Sequence, residues 1–149
     1  MITPIFAAFA ACFFVYLSYR VIKIRKAHSI SVGTADDPAL ERAVRNHGNF
    51  IEYAPLTLLM LAMVEYVGLA AWAVWVLGFM FVASRLIHFA GFRSKEAPGI
   101  LRVAGMALTF TTFLCIPNRI ISPWVSNRVI FQLLKIITLE QLAYQCFIL

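Results

Sequence analysis

The chain has 149 residues, of which 62% are hydrophobic and 13% charged, a balance that one domain folded in water could not bury. That excludes a soluble globular enzyme, and several uncharged stretches of about 20 residues point to helices crossing a hydrocarbon core. Lys and Arg number 13 against 7 acids, but they are spread between the apolar stretches and not gathered on one soluble face, which argues against nucleic acid as a partner.

The first span is expected from about Ile2 to Ile22 and ends in the basic cluster Arg20, Lys23, Arg25 and Lys26, whose long side chains can reach the headgroups. It lacks a basic start, so it reads as a retained helix and not as a cleaved signal. A polar linker, 27–38, follows with Gly33 and the acids Asp36 and Asp37; Asp37 is placed to cap a helix that Pro38 opens. Span two, about Ala39 to Val67, is longer than a bilayer requires, so its first turns, carrying ERAVRNHGNFIE, protrude. A short link at Gly68 leads into span three, about Ala70 to Phe92, making an antiparallel hairpin. A second basic loop, 91–102, holds Arg93, Lys95 and Arg102 with the turn residues Pro98 and Gly99, before span four, about Leu101 to Ile121. The two basic loops are expected in the cytoplasm and the ends of the four-span core outside. Residues 122–149 mix apolar residues with Arg128, Gln132, Lys135, Glu140, Gln141 and Gln145, a pattern expected of an extra helical segment at the surface or against the bundle. The fold class is thus an all-α membrane protein, a bundle of four transmembrane helices at 1–121 followed by a tail.

Charged groups within such spans need a physical reason, since each costs ~3 kcal/mol at mid-membrane. Arg42, Arg45, Asn49 and Glu52 are three, four and three residues apart and share one helical stripe. The stripe fits a ligand site, and equally an internal ion pair of Arg42 or Arg45 with Glu52. Arg85 and His88 share a face of span three, which carries no acid, so Glu52 is the expected partner for Arg85. His28, His47 and His88 are scattered, with no metal-ligand spacing. Cys12, Cys115 and Cys146 lie in apolar segments and read as buried free thiols. The cationic surplus around Arg45, Arg85 and Arg102 suits a small ligand with carboxylates and one ammonium. Glutathione has that make-up, and its thiol ionises more readily beside a fixed positive charge. An anionic lipid headgroup would satisfy the same arginines.

The runs ERAVRNHGNFIEYAPLTLLMLAMVE, SRLIHFAGF and RVAGMALTF resemble the MAPEG family, the membrane-associated proteins of eicosanoid and glutathione metabolism, and look most like its short bacterial branch over about residues 1–118. The resemblance implies a homotrimer in the bacterial inner membrane with glutathione, as cosubstrate, held between subunits near the cytoplasmic side. It implies that Arg45, Asn49 and Glu52 hold the tripeptide, Glu52 receiving its amine, that Arg85 and His88 complete the pocket, and that Lys23 adds a basic group from span one. Arg102 matches the arginine directed at the glutathione sulfur and is the expected catalytic residue. Three positions depart from the eicosanoid enzymes: Phe92 replaces a tyrosine, Gly48 an arginine and Val103 a serine. The implied role is therefore the generic one, a glutathione transferase or glutathione-dependent peroxidase acting on lipophilic electrophiles. A non-catalytic binder of lipid or glutathione keeps the same pocket. A small transporter fits less well, because no span is broken by paired Gly and Pro at its middle.

Overall fold

A computed structural model describes residues 1–93 and 97–121. Four helices account for nearly all of them: α1 (Thr3–His28), α2 (Pro38–Tyr66), α3 (Ala71–Gly91) and α4 (Gly99–Ile121). The tail expected at 122–149, with Cys146, lies outside the described residues, as does Lys95. α1, α3 and the Gly99–Ile116 part of α4 are long and apolar enough to cross a membrane. α2 has the length, about 43 Å at 1.5 Å per residue, but carries Glu41, Arg42, Arg45, Glu52 and Glu65 along it.

Each helix begins and ends for a local reason. α1 runs six residues past its expected end because Arg25, Lys26 and His28 in its last turn complement the negative pole of the helix. Ser29, in the left-handed conformation at φ 54°, then stops it, with the Ile30 N–H donating to the Arg25 carbonyl at 3.0 Å. Arg25 also donates to the Gly33 carbonyl at 2.9 Å, which ties the linker to the helix end. Asp37 caps α2 as its sequence foretells: its carboxylate accepts the N–H of Ala39 at 2.8 Å and of Leu40 at 2.9 Å, and its other oxygen bonds the His28 ring. No side chain of its own caps α1. Glu65, at the far end of α2, accepts the N–H groups of Ile2 and Thr3.

The closest pairings are α3 with α4 and α1 with α2, and α2 joins the two pairs. Glycines set the first: a Cβ on Gly105 would sit 2.6 Å from the His88 backbone nitrogen, and one on Gly91 would sit 2.8 Å from that of Arg102. Close backbone approach is how helices adhere in lipid, where no water drives them together. The seam between the pairs is filled by two apolar clusters. One contains Phe6, Leu61, Val64, Val74, Leu77 and Ile116, and the other Ala10, Leu17, Phe50, Ala54 and Phe81. Large apolar side chains such as Trp72, Phe79 and Val15 point outward, as a lipid solvent permits. For the same reason Cys12 and Cys115 are exposed, against the expectation of burial: an apolar segment here does not imply an inward face.

Candidate functional site

Arg85 is the centre of the polar interior. It is 2% exposed, and each of its donors ends on a neutral group. Nη1 donates to Asn49 Oδ1 at 3.0 Å, Nε to Ser84 Oγ at 3.2 Å, and Nη2 to Thr109 Oγ1. The hydroxyl hydrogens of Ser84 and Thr109 go to the carbonyls of Phe81 and Gly105, so their oxygens are left to accept. The Tyr53 ring lies 5.9 Å from the guanidinium carbon. Asn49 spends its own amide hydrogen on Met106 Sδ at 3.2 Å, a weak acceptor.

Glu52 is not the partner of Arg85, and among the described residues no carboxylate is. The reason is rotational. At about 100° per residue, Glu52 lies about 60° beyond Asn49, away from α3, while Asn49 and Tyr53 take the facing positions. Glu52 and Arg45 are both exposed, and Arg45 pairs with Glu41 at 3.3 Å. The ion pair of Arg42 or Arg45 with Glu52 is thus not formed either. The predicted stripe follows the rim of the bundle, with Asn49 turned in and Arg45 and Glu52 turned out.

His88 and Arg102 form a second group one turn nearer the basic loop. His88, 5% exposed, donates from Nδ1 to the Arg102 carbonyl at 3.2 Å and stacks at an angle on Phe92, ring centroids 5.1 Å apart. The Arg102 guanidinium lies 5.2 Å above the same Phe92 ring. Lys23 stands exposed in the last turns of α1. The structure therefore joins Asn49 to Arg85 and His88 to Arg102 in two groups one turn apart within a single chain, and leaves Arg45, Glu52 and Lys23 on the outer surface.

Four further residues belong to the first group: Tyr53, Ser84, Met106 and Thr109. Tyr53 could have been found four residues after Asn49, on the same side of the helix; the other three are small or apolar residues with no signal in spacing. Among the described residues, no cluster of three His, Cys, Asp or Glu is grouped to hold a metal ion.

A helical bundle with apolar outer faces and a guanidinium buried among neutral donors and acceptors defines a multi-pass, all-α membrane protein. The chain belongs to the MAPEG family, whose model matches residues 3–121. It is similar to the inner membrane protein YecN of Escherichia coli K12, 28% identical over 126 residues that cover 83% of this chain and 95% of that protein. The inner membrane protein YecN of Escherichia coli O6:H1 matches to the same extent.

Proposed function

We propose that the protein binds glutathione at the cytoplasmic side of the inner membrane, as a homotrimer, and uses its thiolate against lipophilic electrophiles. The observation that carries this reading is the pair of guanidiniums, Arg85 and Arg102, that have no carboxylate partner among the described residues. A cation held near hydrocarbon without a counter-charge favours an anionic ligand strongly, because the surrounding dielectric screens little. Glutathione brings two carboxylates, for Arg85 and Arg45, and an ammonium for Glu52, whose exposed carboxylate has no partner among the described residues. The Asn49 amide nitrogen, which donates to a thioether, gains by exchanging that sulfur for a carbonyl oxygen of the tripeptide. Arg102 is assigned to the sulfur, where its charge lowers the thiol pKa so that the proton is lost to water; the thiolate lone pair then forms the bond to the electrophile as the leaving group departs with its electron pair. Relatives that are inner membrane proteins support the choice of membrane, and the positive-inside rule supports the side.

Calorimetry in detergent tests the reading. Native protein should bind glutathione, and Glu52→Ala and Arg45→Ala should each lose most of the affinity. Unchanged affinity in both would make the rim stripe a structural feature only.

A further inference from the structure

Four buried polar atoms, one on each helix, lack hydrogen-bond partners among the described residues: Thr3 Oγ1 on α1, Asn46 Nδ2 on α2, His88 Nε2 on α3 and Arg102 Nε on α4. An amide or imidazole nitrogen left unpaired out of water is costly, so a native fold rarely leaves a complementary donor and acceptor apart. Asn46 Nδ2 is a donor. His88 Nε2 is an acceptor, because Nδ1 carries the proton given to the Arg102 carbonyl.

The helix register sets Asn46 and His88 opposite one another. α2 and α3 are antiparallel, and Asn49 bonds Arg85 across them at 3.0 Å. One step of three residues back along α2 and forward along α3 reaches Asn46 and His88. Asn46 also points the right way: on the α2 wheel it lies about 20° from Tyr53, which faces Arg85, and about 40° from Phe50, which faces α1. Asn46 is 3% exposed and His88 5%. Arg102 is the poorer donor for this nitrogen. Its side chain runs toward Gly91 and Gly99, one turn nearer the loop than His88.

We infer that Asn46 is a positioning residue for His88: its Nδ2–H donates to His88 Nε2, and a turn of the carboxamide about χ2 closes the bond. Both ring nitrogens are then spent, Nδ1 on α4 and Nε2 on α2. His88 becomes a strut that holds three helices at the level of the site, instead of a group offered to the tripeptide. This last consequence rests on the glutathione reading; the hydrogen bond itself does not.

Nitrogen NMR of ¹⁵N-histidine-labelled protein in micelles tests it, with the His88 signals assigned by their loss in His88→Gln. Ligand-free native protein should show the Nδ1–H tautomer with Nε2 shifted as a hydrogen-bond acceptor. In Asn46→Ala, Nε2 should move toward the free-acceptor position or the tautomers should mix. Asn46→Ser, too short to reach, should do the same with a smaller change in packing, and decides the matter if the alanine variant does not fold. Saturating glutathione should leave the native Nε2 signal in place, and Asn46→Ala should weaken glutathione binding about 5-fold through the loosened strut. Native His88 signals in both folded variants, or the same shift produced by Arg102→Lys, would overturn the assignment. If native protein binds no glutathione at all, the proposed function falls while the ligand-free spectra still judge Asn46.

Discussion

Arg85 keeps its charge in the interior by surrounding it with dipoles, not with an opposite ion. Two hydroxyl oxygens and an amide oxygen accept its hydrogens, and a tyrosine face covers it. That arrangement leaves the positive field unspent, and it makes substitutions at Asn49 informative. Asn49→Ala orphans Nη1 and should destabilise the protein by about 2 kcal/mol, read as a lower melting temperature in detergent. Asn49→Asp puts a carboxylate in the same place, so the fold should hold while glutathione affinity falls at least tenfold, because the cation is already paired. Melting and calorimetry on the two variants separate structural from ligand-binding loss: equal affinity in native and Asn49→Asp protein would mean that Arg85 does not attract the ligand. Arg102 is distinguished by a different signal. Native protein with bound glutathione should show the ultraviolet absorbance of a thiolate as a difference from free protein, and Arg102→Ala should retain binding but lose that band; absence of the band in native protein would favour a binder without turnover.

The start of α2 depends on one carboxylate. The Leu40 N–H, followed by the His28 ring and the Ala39 N–H, holds the Asp37 carboxyl below its ordinary value of 3.8. A depressed carboxyl stabilises the fold fully above that ordinary value and progressively less as pH falls through the folded one. Amide exchange in the first turn of α2 should therefore quicken, relative to the rest of the helix, as pH drops below about 4. In Asp37→Ala that turn should exchange quickly at every pH. The contact between α3 and α4 depends on two hydrogens instead. Gly105→Ala drives a methyl to within 2.6 Å of backbone, so the helices must separate and the melting temperature should fall steeply. Gly48→Ala meets nothing within 4 Å in its own chain and should leave the contact between α3 and α4 unchanged. These features also mark what could be read in advance. Four helices, their order and the Asp37 cap were legible, because apolar length, Pro38 and the turn residues each act locally. The rotation of α2 was not. Spacing puts Arg45, Asn49 and Glu52 on one face to within about 60°, and the packing of Phe50 and Ala54 against α1 and α3 then decides that Asn49, not Glu52, meets Arg85.

In the single chain, Glu52 is exposed although it lies fourteen residues into α2, about 20 Å from the helix start. A carboxylate facing lipid costs up to ~3 kcal/mol, the figure for mid-membrane, and Arg45, two turns earlier on the same rim, adds to the polar surface. Other outward side chains include Trp72, Phe79 and Val15, which suit lipid and not water. The rim is satisfied if a neighbouring copy covers it, and a trimer closes that contact with no unpaired face, because each copy offers its α2 rim to the next. In the proposed trimer the site would lie between copies: Arg85 and Arg102 are on the inner side, Arg45 and Glu52 on the outer edge, and a tripeptide spanning them would need a second wall. Native mass spectrometry from detergent should accordingly give three chains, and dilution to monomer should abolish glutathione binding together with the trimer. Glu52→Leu should keep the assembly, since an apolar residue suits a covered rim, while removing the partner for the ammonium and with it the binding. A monomer that still bound glutathione would place the whole site within one chain and would contradict the shared wall.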